Sequence, residues 1–121
     1  MNSDTGTVIA PVLDDLARIG VKQGDMLVFH SSFKSLGLAD ASPVDVVRTL
    51  IDAVGADGTL MVPTFTYCYS GIWNVTAFNR ATTPGRNVGA INEALRSFPG
   101  AIRSAHPCYS VAALGKHAEE V

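Results

Sequence analysis

Apolar positions along the chain fall into helix-spaced and strand-like groups, punctuated by glycine and proline. Val8, Val12, Leu13, Leu16 and Ile19 recur at helical spacing, with Asp14, Asp15 and Arg18 on the opposite side. Pro11 fits only a first turn, so this pattern predicts a helix from about Ile9 or Ala10, ended by Gly20 as a left-handed cap. After a turn at Lys22–Asp25, the continuous apolar run from Met26 to His30 predicts a strand buried on both faces. Ser31 to Asp40 is small and polar, a loop or a short helix. Ser42-Pro43-Val44-Asp45 is a helix start: a hydroxyl cap, proline at the first position and an acid in the first turn. Val46, Val47, Leu50, Ile51 and Val54 give that helix its buried stripe, and Gly55 closes it. Gly58 to Val62 predicts a second strand, stopped by Pro63.

Residues 63 to 86 carry Phe65, Tyr67, Tyr69, Trp73 and Phe78 without a period. Long structureless segments in compact domains are more often functional than not. Asn87 to Phe98 predicts a third helix, with Val88, Ile91, Leu95 and Phe98 on one face. Residues 101 to 108 read as a connector, Tyr109 to Leu114 as a third short strand, and Gly115 to Val121 as the start of another helix. The alternation of helix and strand predicts an α/β layered domain around a mainly parallel or mixed sheet of three strands. The segment Glu119-Glu120-Val121 carries no stop signal, and residues 1–121 read as the N-terminal part of a single, longer domain.

Composition narrows the classes. An apolar content of 47% and a net charge of -2 exclude a disordered chain. The 9 basic residues are scattered, so no nucleic-acid footprint is present. Charged residues are 17% of the chain, below the ~25% usual for soluble domains. Part of the surface is therefore expected to be covered, by a second subunit in a homo-oligomer or by further chain. Cys68 and Cys108 are too few for a disulfide framework and form no C-x-x-C pair. The N-terminus has no basic region followed by an apolar run, and no apolar stretch approaches the ~20 residues of a membrane span. The expectation is a soluble, cytoplasmic protein with no membrane partner.

Three segments hold candidate chemistry. His30 to Gly37 follows the first strand, where ligands gather in open α/β sheets. Backbone N–H groups of a tight turn, the hydroxyls of Ser31, Ser32 and Ser35 and the charge of Lys34 suit a phosphate or diphosphate. The alternative is a turn whose serines only cap backbone. Neither G-x-x-x-x-G-K-[ST] nor G-x-G-x-x-G is present. In Arg103-Ser104-Ala105-His106-Pro107-Cys108, Arg103 is a candidate planar clamp for an anion and His106 a candidate base. A structural histidine bonded to a nearby carbonyl ahead of Pro107 is the alternative, and the one favoured on sequence alone. Cys108 is too close to His106 along the chain to resemble known Cys–His dyads. The aromatic segment around Tyr67 would pack on a small-molecule ring, or merely cover the core. His30, His106 and His117 lack metal-ligand spacing, so no metal is expected.

Taken together, three blocks resemble the aminoglycoside 3-N-acetyltransferases. They are Gly24 to Ser32 with Ser35-Leu36-Gly37, Gly58 to Phe65, and Gly89 to Arg96 running on through Arg103-Ser104-x-His106-Pro107-x-x-Ser110 to Ala118. The resemblance implies a three-layer α/β/α fold, of which this chain holds the N-terminal part of the sheet and helices. It implies acetyl transfer from acetyl-CoA to the 3-amino group of a deoxystreptamine aminoglycoside, with no metal. By position, Ser31, Ser32, Lys34, Ser35, Leu36 and Gly37 would meet the phosphates and pantetheine of the coenzyme. Arg103, Ser104, Ser110 and Val111 would line its other side, and Tyr67 would meet the acceptor. The family's general-base histidine, partnered by a glutamate, lies in a later block, so no catalytic residue is assigned within 1–121. Two alternatives stay open: an acetyl-CoA-dependent transferase for another amine, and an inactive fragment.

Overall fold

The computed structural model describes residues 6–65, 79–85, 88–106 and 109–120. Its organising element is helix α2, Pro43–Val54, which starts as the sequence dictates. The Ser42 hydroxyl accepts the Asp45 N–H at 3.4 Å, and the Asp45 carboxylate accepts the Ser42 N–H at 2.9 Å, a reciprocal capping box. The same carboxylate accepts the backbone N–H and hydroxyl of Thr7, at 2.8 and 3.1 Å. Thr49 accepts the Ile9 N–H and donates to the Asp45 carbonyl, both at 2.8 Å. The cap of α2 thus also fixes the start of helix α1, Ala10–Arg18, which packs on α2. Gly20 closes α1: its N–H donates to the Ala17 carbonyl and that of Val21 to Leu16.

The N–H groups of Ser42 and Thr7 hold the Asp45 carboxyl below the usual carboxylate range, against a smaller opposing effect of burial. A carboxylate lowered in this way adds stability above its unfolded value of about 4 and loses it as the pH falls through its folded value. Asp45 is solvent-accessible, so Asp45→Asn is expected to cost only about 0.5–1 kcal/mol at neutral pH. The deficit should shrink as acid protonates wild-type Asp45. Urea titrations at pH 7 and below pH ~4 check both the size and the sign.

Four strands form one mixed sheet in the order β1-β2-β4-β3. They are β1 Met26–Val28, β2 Thr59–Pro63, β3 Ile102–Arg103 and β4 Val111–Gly115. β1 and β2 are parallel, and β4 runs antiparallel to β2 and β3. Helix α3, Ala90–Arg96, precedes β3. Leu60 and Val62 of β2 pair with Leu114 and Ala112 of β4. These four form one core with Val46, Val47, Leu50, Ile51 and Val54 of α2, Ile91 and Leu95 of α3, and Phe98. Full burial of a large apolar side chain is worth about 1.5–3 kcal/mol, so this α2–β2–α3–β4 sandwich carries the stability.

Several expectations are corrected. The sheet has four strands, because the connector 101–108 contributes the two-residue β3. Pro63 does not stop β2; it is the last residue of the ladder, opposite Val111. Gly115, expected to open a helix, ends β4, and the chain then turns into a short 3-10 segment at Ala118–Glu120. The regular turns of α3 are shorter than predicted, although Phe98 remains buried. β1 is not buried on both faces. Leu27 and Phe29 pack on the core, while Met26 and Val28 are each 53% exposed. β1 lies at the sheet edge, paired on one side only among the described residues. Cross-strand register aligns Val28, Met61, Ala113 and Ile102 in one apolar row on the face opposite the helices.

Candidate active site

The strand directions bring the candidate segments to one rim of the sheet. β1 and β2 run toward this rim and end at Val28 and Pro63. β4, antiparallel, begins there at Val111, and β3 ends there at Arg103. Ser31–Gly37, Thr64–Phe65, Ser104–His106 and Tyr109–Ser110 are the continuations of those four strand ends.

A cleft of about 570 Å³ opens at this rim. One bank is His30, Ser31, Ser32, Phe33 and Lys34; the base is Pro63 and Phe65; the other bank is Val88, Gly89 and Ala90. The chain leaves β1 with the Phe29 N–H donating to the Met61 carbonyl at 3.3 Å. Lys34–Leu36 then forms one 3-10 turn, closed by Gly37, whose N–H donates to the Lys34 carbonyl at 3.2 Å. Of the six residues expected from this segment, Ser31, Ser32 and Lys34 line the cleft. Ser35, Leu36 and Gly37 lie beside it, exposed to solvent.

Ser31 has a distinct chemistry. Its Oγ is buried and has no hydrogen-bond partner among the described residues. A hydroxyl shielded from water without a partner costs about 1–3 kcal/mol, a cost removed by a ligand that bonds to it. Gly89, on the facing bank, approaches the Ser31 carbonyl so closely that a Cβ there would lie 3.0 Å from the oxygen. Asn92, 1% exposed, donates through Nδ2 to the Pro63 carbonyl at 2.9 Å, while its Oδ1 has no partner among the described residues.

The second expected group sits on the β3–β4 side of the rim. Arg103 is 6% exposed, and its guanidinium is turned inward. Nε donates to the Ser110 hydroxyl at 2.9 Å and the Thr64 hydroxyl at 3.2 Å. Nη2 donates to the Thr64 carbonyl at 2.9 Å, and Nη1 to the carbonyls of Thr83 and, at 3.4 Å, Arg80. Ser110 is fully buried in the same network and donates to the Thr64 carbonyl at 3.0 Å. Ser104 and Val111 extend the ladder: the Ser104 N–H donates to the Val111 carbonyl, and the Val111 N–H to Ser104 Oγ, each at 2.9 Å.

His106 is exposed, and its Nδ1 accepts the Tyr109 N–H at 2.9 Å. One partner of His106 is thus a backbone donor. Tyr109 stands edge-on to Phe65, with ring centroids 5.4 Å apart. Tyr67, Cys68 and Cys108 lie outside the described residues. Among the described residues no three His, Cys, Asp or Glu side chains are grouped to hold a metal ion, and no helix is long and apolar enough to cross a membrane.

Thr64, Gly89 and Asn92 fall within the segments the sequence singled out, but no role at the rim was assigned to them. Asn92 left a signal, a polar residue within the buried stripe of α3. Thr64 left none, because its place depends on partners 39 and 46 residues away along the chain.

Sequence and fold have known counterparts. The chain is 33% identical to the SPbeta prophage-derived aminoglycoside N(3')-acetyltransferase-like protein YokD of Bacillus subtilis (strain 168), over 91% of this chain and 47% of that protein. It is 36% identical to aminoglycoside N(3)-acetyltransferase IX of Micromonospora chalcea, over 88% of this chain and 43% of that protein. The crystal structure of YokD superposes with a TM-score of 0.83 at 30% identity, covering 94% of this chain and 53% of that one. AAC-IIIb, solved as a binary complex with CoASH, superposes with a TM-score of 0.80 at 27% identity, covering 93% of this chain and 47% of that one. The chain therefore spans about half, or less, of the length of these relatives. Residues 28–121 match the family model described as aminoglycoside 3-N-acetyltransferase, and with the fold in agreement, the chain belongs to that family.

Proposed function

We propose that this chain forms the acyl-carrier side of a cytoplasmic aminoglycoside 3-N-acetyltransferase that uses acetyl-CoA. The observation that carries the reading is the cleft at the β1 exit, lined by Ser31, whose buried Oγ has no hydrogen-bond partner among the described residues. The residues fit such a carrier. Ser31 and Ser32 offer hydroxyls to its polar groups, and Lys34 offers a cation to its phosphates. Phe65 and Pro63 give the apolar base that a thin pantetheine arm packs on. Ser35, Leu36 and Gly37 extend the first bank outward, and Ser104 and Val111 border the rim beyond β4. The role read for Tyr67, contact with the acceptor, belongs to the same proposal.

Acetyl-CoA supplies the activated acetyl group as a thioester. The chain's own residues hold the carrier, fix its approach along the rim and screen it from water. An ammonium is no nucleophile, so the acceptor amine needs a base to take its proton. The family resemblance puts that base beyond residue 121. Residues 1–121 are accordingly read as part of a larger domain. The apolar row Val28–Met61–Ala113–Ile102 supports this, as a face suited to further packing or to a second subunit.

Calorimetric titration tests the carrier site directly. Coenzyme A is expected to bind one per chain. Ser31→Ala should weaken binding about fivefold, the worth of one net hydrogen bond near 1 kcal/mol. Lys34→Ala should weaken it about threefold, with the loss fading at high salt. Acetylation itself is read as thiol release from acetyl-CoA with aminoglycosides and with unrelated amines. No turnover with any aminoglycoside would overturn the assigned acceptor, and no coenzyme A binding would overturn the site.

A further inference from the structure

We infer that Arg103 is a positioning residue: it sets the place of Phe65 and of residues 79–85 around the cleft and does not itself touch the acyl carrier. The inference rests on reading the cleft as the carrier's site. Its physical content is a buried network in which every polar group of Thr64 is held. The Thr64 N–H donates to the Ser110 carbonyl at 2.9 Å. The Thr64 carbonyl accepts from Ser110 Oγ at 3.0 Å and from Arg103 Nη2 at 2.9 Å. The Thr64 hydroxyl lies 3.0 Å from Ser110 Oγ and accepts from Arg103 Nε at 3.2 Å.

The Thr64 carbonyl belongs to the peptide that joins Thr64 to Phe65. Holding that oxygen fixes the peptide plane from which Phe65 departs, and Phe65 is the aromatic base of the cleft. The Tyr109 ring supports Phe65 from a second direction. The other arm of the guanidinium captures the carbonyls of Arg80 and Thr83. The same short segment is held by α3: Arg96 Nη1 donates to the Ala81 carbonyl at 3.2 Å, and the Gly85 N–H donates to Glu93 Oε1. Residues 79–85 lead toward Val88–Ala90, the second bank of the cleft. One planar fork therefore braces both the base of the cleft and the chain that feeds its far bank. A planar fork with five donors does this; a lysine ammonium, a point donor, reaches only part of the set.

The test compares the full chain with Arg103→Lys and with Ser110→Ala, which loosens the same network while leaving the guanidinium in place. Affinities are measured for coenzyme A and for pantetheine, which lacks every phosphate, and amide hydrogen exchange is followed by mass spectrometry. Both variants are expected to lose the same factor, about fivefold, for both ligands. Exchange should rise around Phe65 and residues 79–85, with the amides of α2 unchanged. A loss confined to coenzyme A, with pantetheine unaffected, would make Arg103 a phosphate contact and overturn the inference. A uniform rise in exchange across the molecule would overturn it too, as simple loss of stability. If the wild-type chain binds neither ligand, the reading of the cleft fails by itself. Exchange then decides alone: a local rise sustains the brace, and no rise removes it.

Discussion

Gly115→Ala is expected to remove about 3 kcal/mol or more of folding stability, from one added methyl. Gly115 sits at φ +126, where side chains are strained regardless of space. Here there is no space either. A Cβ would lie 2.2 Å from the Gly58 carbonyl oxygen and 2.8 Å from the Thr59 Cα. Both are backbone atoms, so no rotamer change relieves the contact. Gly115 pairs with Thr59 at the end of the β2–β4 ladder, and the next residue, Lys116, donates its N–H to the Gly58 carbonyl at 3.1 Å. Relief requires opening that corner, and with it the ladder that carries Leu60 and Leu114 into the core. Whole domains are stable by only about 5–15 kcal/mol, so the loss should be plain in the midpoint of a urea titration. A loss below about 1 kcal/mol would mean that the two strands are not held this closely.

Gly89→Val should act on the site more than on the fold. Gly89 has φ +97, and among the described residues a Cβ there meets only the Ser31 carbonyl, at 3.0 Å. Backbone strain of this kind is worth about 1–3 kcal/mol. The relief available is to move the two banks apart, which displaces Ser31 from its present place. If about 2 kcal/mol of that strain falls on the bound geometry, coenzyme A affinity drops roughly 30-fold. Gly24→Ala is the control, since it too has a positive φ but meets nothing within 4 Å and lies away from the cleft. Calorimetry should show unchanged affinity for the control. Equal losses in both variants would refute a specific approach of the two banks.

What the sequence revealed follows from what is local. α2 was legible to the residue at its start, because Ser42, Pro43 and Asp45 signal through contacts within one turn. β1 was misjudged in burial because a continuous apolar run has no alternation from which to read an edge. β3 was missed because two residues carry no period; only pairing with β4 defines it. At the rim, composition and the place after a strand singled out the hydroxyl-rich turn, of which Ser31, Ser32 and Lys34 line the cleft. The inward turn of Arg103 was not legible, since an arginine near serines reads the same whether it faces a ligand or a carbonyl. Its orientation depends on Thr64 and residues 80–83, which the sheet and the chain before α3 bring together.

The anchoring of α3 and β3 has a consequence for how this architecture tolerates change. Between β2 and β4 the chain rejoins the scaffold at α3, whose Ile91 and Leu95 enter the core, and at β3, which pairs with β4, so the stretch of sequence between Thr64 and Ala90 is closed at both ends by packed elements. The entropy of closing such a connection grows only logarithmically, so doubling its length would add about 0.6 kcal/mol. Insertions and deletions beside the cleft are therefore cheap for folding, while the ladder itself admits almost none. Diversification of that connection can proceed by length as well as by side chain, under a scaffold that barely registers it.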